Sequence, residues 1–165
     1  SLSVGSGQYR LFLPPDAWTD LEAATSAVDQ AESALRAGDP RRVLGPGTVA
    51  LNIARRPFLP GIEGDWVDSQ RRRLERQRLR ALDCLVVMSL ARDEPATAVE
   101  MATEAVELDP FREASYRLLM QAHGATGDRA RAAEAYQRLR QLLKAELGAT
   151  PSAETEAAYT RILQG

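Results

Sequence analysis

Few of the 165 residues carry side chains suited to catalysis, and their spacing argues against it. His123 is the sole histidine and Cys84 the sole cysteine. A zinc or copper site needs three or four nitrogen or sulfur ligands, which one histidine and one distant cysteine do not supply. Cys84 sits in the apolar run 81–91 and reads as a small buried hydrophobe rather than a nucleophile. His123 reads as a packing residue between helices. No G-x-x-x-x-G-K-[ST] phosphate loop occurs, and Gly5-Ser6-Gly7 is not followed directly by a helix. Glu100, Glu104 and Glu107 share one helical face, where carboxylates are expected to be solvated. The chain therefore reads as a non-enzyme, with no metal and no cofactor.

The arginines carry more information. Arg71, Arg72, Arg73, Arg76, Arg78 and Arg80 put six positive charges into ten residues, opposed only by Glu75. One reading is a basic patch for phosphate or an acidic partner, centred on Arg72, Arg73 and Arg76. The other is a solvated helix face whose stems cover apolar neighbours and whose heads pair with carboxylates. A net charge of −2 and the lack of interleaved aromatics favour the second. Trp66 has the chemistry of a partner anchor. At the start of a long helix, however, it is expected to be a core plug under the preceding loop.

These residues need elements to position them, and the composition says which kind. The chain holds 27 Ala and 21 Leu against nine Val and three Ile, with aromatics at only 5%. Helices favour the first pair, and strands favour β-branched and aromatic residues. The expected fold is all-α. Only Gln8–Leu13 reads as a strand, one without an obvious partner, before Pro14-Pro15. Thr19 and Glu22 form a capping box for a helix whose stripe is Leu21, Ala24, Val28, Ala31 and Leu35. Gly38-Asp39-Pro40 ends it. A second helix is expected over about Pro40–Ala54, kinked or broken by Gly45-Pro46-Gly47. After a Pro/Gly-rich loop, the longest helix runs from about Asp65 to Arg92. Further helices are expected over Pro95–Leu108, Arg112–Thr126, Arg129–Leu147 and Ser152–Leu163, with Gly148 as a C-cap. No apolar stretch is long enough to span a bilayer. With no basic leader and one cysteine, a cytoplasmic location is expected and no membrane association.

A repeat of about 34 residues runs through the second half. Tyr116, Met120, His123, Gly127, Ala132 and Tyr136 correspond to Leu82, Val86, Ser89, Asp93, Ala98 and Ala102 one repeat earlier. Ala98 and Ala132 fall where two helices must approach closely, and Gly127 and Asp93 fall in the turns. A weaker unit spans 27–50. The expected architecture is a tetratricopeptide-like, right-handed helical stack of about seven helices. In such a stack the first helix of each pair lines a concave face. Arg80, Asp83 and Val87 in one repeat and Arg117 and Gln121 in the next are the candidate partner-binding residues.

Two further runs are specific: Leu108-Asp109-Pro110-Phe111-Arg112-Glu113, and Tyr136-Gln137-Arg138-Leu139 through Glu146-Leu147-Gly148 to Pro151-Ser152. With the loop run Arg56-Pro57-Phe58-Leu59-Pro60-Gly61 and Trp66, they make the chain resemble the bacterial transcriptional activator domain over about 16–163. The resemblance implies a tetratricopeptide-like regulatory module that follows a winged-helix DNA-binding domain, as in the Streptomyces antibiotic regulatory proteins. It implies that residues 1–15 are the last strand of such a winged helix plus a linker, and that 16–165 form the activator domain. It also implies protein partners or a homodimer, with DNA reached only through a separate domain. The alternative is a generic repeat scaffold of a signalling protein with no DNA role.

Overall fold

The computed structural model describes residues 2–5, 8–11 and 19–164, with side chains described from 19 onward. Seven α-helices make up most of it: α1 Asp20–Arg36, α2 Leu44–Ala54, α3 Asp65–Ala91, α4 Pro95–Leu108, α5 Glu113–Ala125, α6 Arg129–Leu147 and α7 Ala153–Gln164. The strand expected near Gln8 is present, but it has a partner. β1 Leu2–Gly5 pairs antiparallel with β2 Gln8–Leu11, in the register Leu2 opposite Leu11. Pro14-Pro15 lies outside the described residues, as does the rest of 12–18. None of the described helices is long and apolar enough to cross a membrane.

Local chemistry explains where the helices begin and turn. Thr19 caps α1 reciprocally with Glu22: the Glu22 backbone N–H donates to Thr19 Oγ1 at 3.3 Å, and the Thr19 N–H donates to Glu22 Oε2 at 2.8 Å. Each helix pair closes on a left-handed residue: Gly38 at φ +71°, Asp93 at +59° and Gly127 at +79°. Only glycine adopts that region without cost, and aspartate is among the residues that tolerate it best.

The expectation of a second helix broken by Gly45-Pro46-Gly47 needs correction. A 3₁₀ turn over Pro40–Arg42 precedes α2, and the Gly-Pro-Gly run lies in the first turn of α2 itself. Proline fits there because first-turn N–H groups have no intrahelical acceptor to lose. The Gly47 N–H still donates to the Val43 carbonyl at 2.8 Å. Gly47 serves packing: a Cβ at this position would lie 3.0 Å from Leu85 Cδ2 on α3.

The helices pack as a stack of pairs. First helices α1, α3, α5 and α7 contact one another in succession, while α2, α4 and α6 touch only flanking first helices. Two cores result. One joins α1, α2 and α3 through Val28, Val43, Leu51, Leu82, Leu85 and Met88. The other joins α3 to α7 through Val86, Tyr116, Met120, Tyr136 and Leu139. The close-approach alanines Ala98 and Ala132 are fully buried at the helix crossings, where a larger side chain would force neighbours off their rotamers. Half-buried Met101 bridges the two cores.

Candidate functional site

The inner surface of the stack is built by α1, α3, α5 and α7, and its charges are mostly spoken for. Arg80 on α3 reaches across to α1, with Nε donating to Glu32 Oε1 at 2.6 Å and Nη2 to Asp29 Oδ1 at 2.6 Å. This bond is the main reason the Glu32 carboxyl is held below the ordinary carboxylate value. Asp83 on the same helix accepts two hydrogen bonds from Arg112 at the entrance of α5, at 2.9 and 2.5 Å. Arg117 on α5 reaches α7, donating to Thr155 Oγ1 at 3.1 Å and pairing with Glu154 at 3.3 Å. An arginine thus ties each first helix to the next. The charges of Arg80, Asp83 and Arg117, three of the candidate partner-binding residues, are thus engaged within the chain.

What remains open between these pairs is apolar. Arg80, Asp83 and Val87 come together with Glu32, Leu35, Arg36 and Cys84 around a depression of about 250 Å³ between α1 and α3. Its floor is Leu35, Cys84 and Val87. Val87 is 39% exposed, unusual for a large hydrophobic residue in the middle of a packed helix. The Cys84 side chain is buried, and burial, reinforced by Glu32 and Asp83, pushes its thiol up to about 11. At neutral pH it is a protonated thiol, an apolar floor tile and not a nucleophile. Gln121 is exposed one repeat on and lines a second depression with Gly124, Gly127, Arg129 and Ile162. The five candidates therefore fall in two places, with Arg80, Asp83 and Val87 around the first depression and Gln121 at the second. Arg117 lines neither.

The arginine run divides. Arg71 is a loop staple: it donates to the carbonyls of Phe58, Leu59 and Ile62 at 3.2, 2.8 and 2.9 Å. Arg73 donates to Thr25 Oγ1 at 3.0 Å, and Arg78 pairs with Glu104 at 2.7 Å. Arg72 and Arg76 are exposed. Glu104, expected to be solvated, is instead held between Arg55 and Arg78. Burial pushes its carboxyl up, but the bonds from both arginines outweigh that and leave it below the ordinary value. Neither partner could be picked from sequence, since they lie 49 and 26 positions away.

Trp66 also departs from expectation. It is 61% exposed rather than plugging the core, touching Phe58 with ring centroids 5.8 Å apart. Val67, its neighbour, takes the buried position instead. His123 is partly buried near the end of α5, and burial lowers its imidazole below the ordinary value. Among the described residues no three His, Cys, Asp or Glu side chains gather as a metal site requires.

Comparison with known proteins gives this groove a setting. The Regulatory protein AfsR of Streptomyces coelicolor is 33% identical over 159 residues, covering 96% of this chain and 16% of that protein. AfsR of Streptomyces griseus is 32% identical over 145 residues, covering 88% of this chain and 15% of its own length. The chain thus spans about one sixth of these relatives. Among solved structures, Mycobacterium tuberculosis EmbR, determined in complex with a low-affinity phosphopeptide, superposes with a TM-score of 0.84. That match has 22% identity and covers 99% of this chain and 43% of EmbR. The C-terminal tetratricopeptide domain of a Plasmodium falciparum FK506-binding protein superposes with a TM-score of 0.66 at 11% identity, covering 89% of this chain and 92% of that one. Both share the tetratricopeptide-like fold. The bacterial transcriptional activator domain family matches residues 19–163, and with that span this chain belongs to it.

Proposed function

We propose that this domain is the regulatory interaction module of a transcriptional activator, receiving a partner protein in the groove between α1 and α3. The activator meets DNA through a separate domain, in the cytoplasm. The observation that carries the reading is the apolar floor of Leu35, Cys84 and Val87, left open inside a frame of satisfied ion pairs. A groove with fixed walls and an apolar floor suits one large apolar side chain of a partner helix or peptide, since anchors in such pockets dominate binding energy. The charges around it are pre-organised by Arg80 and Arg112, so they orient a partner without first being ordered. EmbR, of the same fold, was captured with a phosphopeptide, which supports a protein-derived partner here. The test is Val87→Glu in the full gene product, with DNA binding measured by gel shift and activation by a promoter reporter. The expected outcome is intact DNA binding with activation reduced about ten-fold or more, the effect of losing one anchor. Wild-type activation would overturn the reading.

A further inference from the structure

The apolar depression is one end of a longer stripe on α3. Arg72, Arg76, Arg80, Asp83 and Val87 recur at spacings of four, four, three and four, which holds them on one face of the helix. Arg80, Asp83 and Val87 line the depression itself. Helix α1 accompanies the stripe beyond it: Arg80 meets Asp29 and Glu32, and Arg73, seven positions earlier, meets Thr25. Helix α4 meets α3 on another side, through Arg78, which stands about 200° round the helix from Arg76. Glu75 also points elsewhere, lining a separate cleft with Arg56 and Phe58. Along the stripe the charges divide. Arg80 and Asp83 are paired within the chain. Arg72 and Arg76 are exposed, and neither has a carboxylate partner among the described residues.

We infer that the partner received here is an acidic amphipathic helix of another protein, with a large apolar side chain on Leu35, Cys84 and Val87 and carboxylates on Arg76 and Arg72. The spacing favours a helix. Arg76 and Arg72 lie eleven and fifteen residues before Val87, which is about 16 and about 22 Å along α3. A helix laid beside α3 reaches the same points with residues eleven and fifteen positions from its own anchor. Those separations are close to three and four turns, so the anchor and both carboxylates share one face of the partner. Charge selects the acidic sign. A neutral helix leaves both arginines without partners, and a basic one is repelled by them. The chain as a whole carries a net charge of −2, so the attraction belongs to this end of the stripe and fixes the direction and register in which the partner lies.

The inference rests on the groove reading above and adds the chemistry of the partner to it. The experiment is fluorescence anisotropy with three labelled helical peptides in an Ala/Gln background. Each carries one Leu anchor, and at the positions eleven and fifteen residues away it carries Glu, Gln or Lys. The Glu peptide is expected to bind the wild-type chain tightest, about ten-fold better than the Gln peptide, with the Lys peptide weakest. Salt of about 0.5 M should shrink that preference, because exposed pairs are screened. The double variant Arg72→Glu/Arg76→Glu, its folding checked by far-UV circular dichroism, is expected to reverse the order, which a merely structural role of the two arginines would not do. Val87→Glu should weaken all three peptides together, about ten-fold or more. The inference is overturned by a Glu peptide that fails to bind wild type up to about 1 mM, by equal binding of the three peptides, or by a double variant that keeps the wild-type order. Equal binding that Val87→Glu abolishes would leave the groove reading standing alone. Binding that Val87→Glu leaves unchanged would bring down both.

Discussion

At the residue scale the inner surface depends on a few arginines whose partners lie far away in sequence. Asp83 and Arg112 are 29 positions apart, each about a quarter exposed, and joined by two bonds. Removing one member leaves a partly desolvated charge alone. Arg112→Ala is therefore expected to cost ~1–3 kcal/mol. The double variant with Asp83→Ala should cost clearly less than the sum, and a urea double-mutant cycle reads that coupling. Additive costs would show that the pair contributes nothing. Acid should act in two stages. Burial holds the His123 imidazole below its ordinary value, so the unfolded chain takes up its proton first. Stability is then complete above about pH 6.5 and falls as the pH drops through that point. Glu32, held low chiefly by Arg80, adds a second loss only as the pH falls below the ordinary carboxylate value of about 4.3. Thermal melts between about pH 8 and about pH 3 should show both stages, and His123→Gln should remove the first. A variant that keeps both stages would refute the assignment. These pairings were not legible beforehand. Spacing put Arg80, Asp83 and Arg117 on the first helices of their pairs, but it carries no information about which oppositely charged side chain elsewhere in the chain meets each of them.

At the element scale legibility was uneven for a physical reason. Periodic stripes, Thr19 with Glu22, Gly127-Asp128 and Gly148 are local signals, and they gave the helix ends closely. Gly45-Pro46-Gly47 misled because the same residues break a helix in its middle and start one in its first turn. Trp66 misled because two adjacent helical positions face different ways, and Val67 took the buried one. Two predictions belong here. Gly47→Val should cost ~1–3 kcal/mol, because its Cβ would already crowd Leu85 on α3 before the added methyls. Chemical denaturation checks this, and an unchanged midpoint would mean that α2 and α3 can separate freely. Arg71→Ala releases three carbonyls of the loop before α3. It should leave the melting temperature nearly unchanged while making the loop around Leu59 the first site cut in limited proteolysis. Cleavage elsewhere at wild-type rates would contradict the staple role.

For the whole molecule, stability comes from two cores in series, and the open features lie between and outside them. Stacked pairs bind each other through nearest neighbours, which leaves the inner face continuous while its charges are locked in place. The groove of Leu35, Cys84 and Val87 lies at the contact between α1 and α3, where the first core ends at the surface. A partner seated there would touch the repeat carrying α1 and the repeat carrying α3 together, so binding would fix their relative angle. That is a direct route from partner binding to the arrangement of a neighbouring domain. The most direct test is promoter activation by the full gene product carrying Val87→Glu, beside Val87→Ile as a control that keeps the apolar floor. The account predicts that Val87→Glu loses activation while retaining DNA binding, and that Val87→Ile retains both. Full activation by Val87→Glu at normal protein levels would contradict it.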